Sequence, residues 1–238
     1  MSSQFLIQRR QLSLALLGGA SGLLPSLYAH ALSLSDLTNS DATAGLKGAL
    51  NESSLAAIAK LGADGGFLNN PKVRIPLPGY LEDAAKLMKN FGYKKQVEEL
   101  ENAMNRAAES AVPAGKELFS NAVKAMTVTD AKNILTGGQD AGTQYFKGKT
   151  KTPLGERFLP IVKKATEKVG LAQKYNDYAG QAAKMNLLKG DAVNIERWVT
   201  GKSLDGLYLI MAEEEAKIRQ NPVGAASDVV KKVFGVLK

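Results

Sequence analysis

Apolar residues recur three and four positions apart along most of the chain, and glycine or proline stands at most of the breaks between these runs. Leu46, Leu50, Ile58 and Leu61 fall near one stripe, with Gly62 placed to close a helix in a left-handed conformation. Residues 63–78 interrupt the period. Gly65, Gly66, Asn69, Asn70, Pro71, Pro76 and Pro78 predict a long ordered loop there, or a short hairpin around Val73 and Ile75. Leu81, Ala84, Ala85, Met88 and Phe91 predict a second helix ended by Gly92. Val97, Leu100, Met104, Ala107, Ala108 and Ala111 predict a third, stopped before Pro113.

Leu118, Phe119, Ala122, Val123 and Met126 carry the period on. Thr127, with Asp130 three residues later, has the spacing of a capping box for the turn leading to Ile134 and Leu135, and Gly137 and Gly138 end that helix. Thr152-Pro153 reads as an N-cap with proline at the first helical position, opening a stripe of Leu154, Phe158, Ile161, Val162 and Ala165. Pro160 inside that stripe implies a kink or a later start. Leu171, Tyr175, Tyr178 and Ala182 follow, then Ile195, Trp198 and Val199, then Leu207, Ile210, Met211 and Ile218. Asn221-Pro222 is expected to cap a last helix carrying Val229, Val230, Val233 and Phe234. No strand-like alternation of any length appears. The pattern predicts an all-α, single-domain helical bundle over residues 32–238, with a long Pro/Gly/Asn loop near residues 63–78.

The first thirty-one residues fit a cleavable export signal instead. Arg9 and Arg10 supply a basic start, no acid occurs before Asp36, and an apolar stretch from Leu12 to Leu27 is broken by Gly18, Gly19, Gly22 and Pro25. Ala29-His30-Ala31 gives the small-x-small pattern after which a signal peptidase cuts. The stretch is shorter than the ~20 apolar residues of a spanning helix and rich in helix breakers, which weighs against an anchor. Arg9-Arg10-Gln11-Leu12 resembles a twin-arginine signal, but Ser13 stands where a second apolar residue is usual, so the general secretory and twin-arginine routes both stay open. A periplasmic location is the expectation.

Loss of that segment changes the available chemistry. It carries His30, the one histidine of the chain, and there is no cysteine. Zinc-protease pairs, Ser-His-Asp and Cys-His catalysis are thereby excluded. No serine has lysine three residues on, which excludes the Ser-x-x-Lys route. Gly148-Lys149-Thr150 and Gly201-Lys202-Ser203 mimic the end of a phosphate-binding loop, but Thr143 and Glu196 occupy the position where its first glycine is needed. No cofactor and no metal are expected. Paired carboxylates, as in a cell-wall hydrolase, remain open. The acidic runs Glu98, Glu99, Glu101 and Glu213, Glu214, Glu215 sit among basic residues and read better as solvated helix faces.

Removing Arg9 and Arg10 lowers the formal net charge from +8 to +6. The excess is local. Between Thr143 and Lys189 stand ten basic residues and three acids, with Lys147, Lys149, Lys151, Arg157, Lys163 and Lys164 as a candidate patch for anions or lipid head groups. A solvated, solubilising surface is the plainer alternative. Nucleic acid is a poor expectation, because aromatics are few and the basic residues are scattered. Met88, Met104, Met126 and Met211, with Phe119, Tyr145, Phe146, Tyr175 and Tyr178, fit ordinary core packing or the lining of a cavity for an apolar, lipid-like ligand.

Several short motifs point to a family. Asn105-Arg106-Ala107-Ala108-Glu109, then Asp130-Ala131 through Ile134-Leu135 and Gly137, then Thr143 with Tyr145-Phe146, resemble the bacterial exported family called domain of unknown function 4197. Asp205-Gly206-Leu207, the acidic stretch ending at Glu215, Ile218-Arg219, Asn221-Pro222 and Val233-Phe234-Gly235 are similar to its closing pattern. Gly142 departs from that pattern, since alanine is expected there, and the change is a small one. The resemblance implies a Gram-negative envelope setting and one full-length helical domain. It brings no catalytic residue, substrate or cofactor. Arg106, Glu109, Asp130, Thr143, Tyr145 and Phe146 become candidates for a shared ligand site, or equally for partners that fix helix packing. The expected function is a non-enzymatic periplasmic binding or interaction protein holding an apolar or anionic lipid-like ligand. A carboxylate-dependent hydrolase and a purely structural partner of another envelope protein are the alternatives, and no membrane-spanning segment is expected beyond residue 31.

Overall fold

The computed structural model describes residues 38–79, 81–82, 94–184, 189–225 and 227–236. The expected signal segment, and the helix expected over Ala84 to Phe91, lie outside these residues. Among the described residues the chain is helical, with no strand. Helix α1 runs Asn39–Leu61, α2 Lys94–Ala111, α3 Lys116–Ala125, α4 Val128–Leu135, α5 Ala141–Thr166, α6 Gly170–Lys184, α7 Ile195–Gln220 and α8 Asp228–Val236. None of the described helices is long and apolar enough to cross a membrane.

The expected stripes make the core. Val97, Leu100, Met104, Ala107, Ala108 and Ala111 are all fully buried on α2, as are Leu46 and Leu61 on α1. Phe119 meets Phe146 edge to face at 5.1 Å and Tyr208 at 6.3 Å, a geometry that places ring edges on ring faces. Thr127 and Asp130 form the capping box that the spacing predicts at the start of α4.

Helix α5 departs from the expectation. Thr152-Pro153 does not start a helix but lies inside one of 26 residues, together with Pro160. Each proline removes one N–H and so frees the carbonyl four residues earlier. Those carbonyls belong to Lys149 and Glu156, both exposed residues, so water can take the place of the lost partner. Gly142, Phe146, Thr150, Leu154, Phe158, Val162 and Thr166 are buried at every fourth position. Since a helix turns about 100° per residue, such a stripe drifts by about 40° at each step. The helix therefore packs against different neighbours along its length, most extensively α2 and α7.

Two helix ends also differ from the sequence reading. Gly62 closes α1 at φ −80°, donating its N–H to the Ile58 carbonyl, and the left-handed glycine is Gly65, at φ 80°. Asn221-Pro222 leads into a 3₁₀ turn, Pro222–Gly224, before α8 begins at Asp228.

The 63–78 segment is an ordered loop of turns rather than a hairpin, with Phe67, Val73, Ile75 and Leu77 buried. Its polar backbone is satisfied by side chains of the bundle, as buried amides must be. Glu109 Oε1 accepts from the N–H groups of Phe67 and Leu68, both at 3.0 Å. Asn105 accepts from the Ile75 N–H at 2.8 Å and donates to the Ile75 carbonyl at 3.1 Å. Trp198 Nε1 donates to the Pro76 carbonyl at 3.0 Å.

The start of α5 is held by Glu215 of α7. Its carboxylate accepts from the Gly142 N–H at 2.9 Å, the Thr143 N–H at 2.7 Å and the Thr143 hydroxyl at 2.9 Å. Arg219 donates to the same carboxylate from Nε and a terminal nitrogen, at 3.1 and 2.9 Å. At Gly142 a Cβ would lie 2.1 Å from Leu50 Cδ2 and 3.0 Å from Glu215 Oε1, so alanine is not the small change that the sequence suggests. Gly142→Ala gains helix propensity of up to about 1 kcal/mol, but overpacking here should win, for a net loss of about 1–3 kcal/mol in denaturant unfolding. Adding Leu50→Val should cost less in that background than alone; strict additivity of the two changes would count against this packing.

Candidate functional site

The residues singled out from the motifs fall into separate internal networks. Arg106 donates to Glu109 at 2.9 Å and also pairs with Asp64, so it backs the carboxylate that holds the 63–78 loop. Asp130 caps α4 at the surface. Thr143 is bonded to Glu215, Phe146 is fully buried in the aromatic cluster, and the Tyr145 hydroxyl donates to the Ala122 carbonyl at 3.2 Å. Burial raises the Tyr145 phenol and pushes Tyr208 up to about 12, although the Thr150 hydroxyl at 2.8 Å opposes the latter. All six polar or aromatic candidates have a partner within the fold.

The acidic runs are largely engaged as well. Glu101 lies 3.4 Å from Arg74, Glu213 lies 2.7 Å from Lys72, and Glu98 lies 3.8 Å from Lys94. Glu214 takes both Lys60 and Lys217 at 2.8 Å. Burial pushes the Glu214 carboxyl up, but the hydrogen bonds from Lys217 and Lys60 outweigh it and leave the group below its ordinary range.

The basic patch lies entirely on α5, and it winds around the helix as the buried stripe drifts. Arg157 pairs with Glu117 at 2.8 Å, and Lys149 sits 5.9 Å from the centre of the Tyr145 ring. Lys147, Lys151, Lys163 and Lys164 make no ion pair with any described residue.

Lys151 opens onto a groove of about 790 Å³ between α5 and α7, which the sequence did not single out. Thr152, Gly155, Glu156 and Leu159 line it from α5, and Arg197, Thr200, Gly201 and Leu204 from α7. Asp191 closes one side from the turn that follows Gly190, whose φ of 69° requires glycine. The Asp191 carboxylate lies so near α7 that a Cβ on Gly201 would stand 3.1 Å from its Oδ2. A second opening, about 540 Å³, adjoins this groove through the shared residues Leu159 and Arg197 and adds Lys163, Asn176 and Glu196.

Two features set this trough apart. Lys151, Arg197, Glu156 and Asp191 line one groove, yet none forms an ion pair with any described residue. Thr200 is 7 % exposed, and its hydroxyl is the buried side-chain group among the described residues that lacks a hydrogen-bond partner. A buried hydroxyl without a partner costs roughly 1–3 kcal/mol, which a structure tolerates where a ligand or water completes it. Glu196, buried at the adjoining opening, is held by Asn176 at 2.9 and 3.1 Å and has no cationic partner among the described residues.

No composition or spacing signal marked this groove. Its glycines are single, and its charged residues come from three elements.

A family model described as "Protein of unknown function (DUF4197)" matches residues 36–235. No curated protein and no solved structure gives a significant match.

The capping box yields a pH test. Hydrogen bonds from the Thr127 backbone and hydroxyl hold the Asp130 carboxyl below its ordinary range. A depressed folded-state value stabilises the fold above the unfolded-state value, and the gain disappears as pH falls through the folded one. Asp130→Asn should flatten that acid-side loss in thermal unfolding curves while leaving their alkaline side unchanged. An unaltered acid limb would remove this role.

Proposed function

The chain belongs to the DUF4197 family of proteins of unknown function, and since membership assigns no reaction, we propose its role from the groove: a non-enzymatic binding protein of the bacterial envelope whose ligand sits between α5 and α7. The observation that carries this reading is the buried Thr200 hydroxyl, which has no hydrogen-bond partner among the described residues, in a groove lined by four charges that pair with none of them. Lys151 and Lys163 bring the basic block to the ligand, while the other basic residues of α5 remain on the surrounding surface.

A lipid ligand would be held by its head group. Phe67, Phe119, Phe146 and Phe158 are fully buried against one another's neighbours in one core cluster, and the openings lie at the surface. Leu159 and Leu204 give the groove only a short apolar floor. A second reading has a specific basis: Glu156 and Asp191 face the same groove, as a carboxylate pair acting on a wall polymer would.

Gly155 offers a clean test. A Cβ there meets only Leu204 Cδ1, at 3.9 Å, an ordinary contact, and replacing a helical glycine gains up to about 1 kcal/mol of helix propensity, so Gly155→Leu should fold, as thermal unfolding would check. It should also fill the groove. Native mass spectrometry of protein isolated gently from the periplasm should show a bound small molecule in the parent that is absent from Gly155→Leu. Identical, ligand-free spectra for both would sink the binding reading. Release of fragments from purified cell wall, abolished by Glu156→Gln or Asp191→Asn, would instead favour hydrolysis.

The export proposal has its own measurement. Mature protein should begin at Leu32 on N-terminal sequencing. Recovery of the intact chain from the cytoplasm would remove the envelope setting and return His30 to the available chemistry.

A further inference from the structure

Lys151, Glu156, Asp191 and Arg197 line one groove from three elements and form no ion pair with any described residue. Exposed opposite charges gain little by pairing, so all four stay available to a ligand. Lys151 and Glu156 are five residues apart on α5 and point in different directions. Asp191 is fixed over Gly201 by a left-handed turn, and Arg197 rises from the first turn of α7 at the junction of the two openings. Lys151 lies in one opening and Lys163 in the other, with Arg197 common to both.

Resting on the binding reading above, we infer that this trough takes a ligand carrying a phosphate and a primary ammonium together, the chemistry of an ethanolamine phosphate. Arg197 is the phosphate anchor, supported by Lys151 in the same groove. A phosphate offers several oxygens to several donors, which suits a guanidinium beside an ammonium group better than a single carboxylate would. The Thr200 hydroxyl gains the partner that the fold denies it. Asp191 and Glu156 receive the ammonium, whose three N–H donors can serve both. The source of the ligand is either a phospholipid head group or a free aminoalkyl phosphate, and the recognition chemistry is the same for both.

Calorimetric titration of the full mature chain with phosphoethanolamine, inorganic phosphate and ethanolamine tests this. Phosphoethanolamine should bind at least about tenfold more tightly than either fragment. Combining Asp191→Asn with Glu156→Gln should erase that margin while keeping phosphate binding, and Arg197→Gln should weaken both phosphate ligands about tenfold or more. Each variant is first checked by circular dichroism and thermal unfolding. Flotation with vesicles of phosphatidylethanolamine and phosphatidylglycerol, against vesicles with phosphatidylcholine in place of the ethanolamine lipid, separates the sources. Ethanolamine-dependent flotation lost in Arg197→Gln supports the head group, and binding of the free compound alone supports the soluble source. Equal affinity for phosphate with and without the amine overturns the inference, as does failure of every probe to bind. If the isolated protein carries a different molecule that Gly155→Leu displaces, the groove remains a binding site and this ligand assignment is wrong.

Discussion

The buried carboxylate of Glu215 is the constraint on which the rest of the bundle depends. It is 3 % exposed and accepts from two backbone N–H groups and a hydroxyl at the start of α5, and from Arg219 one turn further along α7. A buried charge is tolerable only when its lone pairs are filled, and here the donors come from a helix N-terminus whose dipole favours an anion. Arg219 extends the cluster, donating to the Ile134 carbonyl at the end of α4 and lying 5.4 Å from the centre of the Phe234 ring on α8. With Leu50 of α1 against Gly142, one contact point fixes five helices.

The 63–78 loop follows the same logic at the other side of α2. A buried loop needs partners for its amides, and Glu109, Asn105 and Trp198 supply them from two helices. Gly206 makes room on α7, where a Cβ would stand 2.8 Å from Phe67 and 3.2 Å from Val73. The motifs that carry the family resemblance therefore describe a frame. They set where α2, α5 and α7 lie, and the groove between α5 and α7 is a consequence of that placement, built from residues outside those motifs.

Such a division bears on mechanism. The charges that line the trough sit on two long helices and one glycine turn, so the frame sets where their backbones lie while the side chains stay exposed. Backbone placed in this way leaves less ordering to do when a ligand arrives, which favours binding.

The sequence by itself determined the helical class, most of the core and the α4 capping box, since these rest on spacing within a few residues. It also marked Asn105, Arg106, Glu109 and Thr143 as polar residues of note, but not their roles, and it read Glu215 as part of a solvated helix face, whereas that carboxylate is buried and bonded to the start of α5. Tertiary structure decided those, because each role depends on a partner tens of residues away: Glu109 on Phe67, Glu215 on Thr143. The same holds for Thr152-Pro153, which local rules read as a helix start and packing absorbed into the middle of α5. Gly142 seemed exchangeable until Leu50 stood beside it. The groove was invisible for the same physical reason: Lys151, Asp191 and Thr200 share a surface only after α5 and α7 are brought together, and no periodicity along a chain records which helix faces meet.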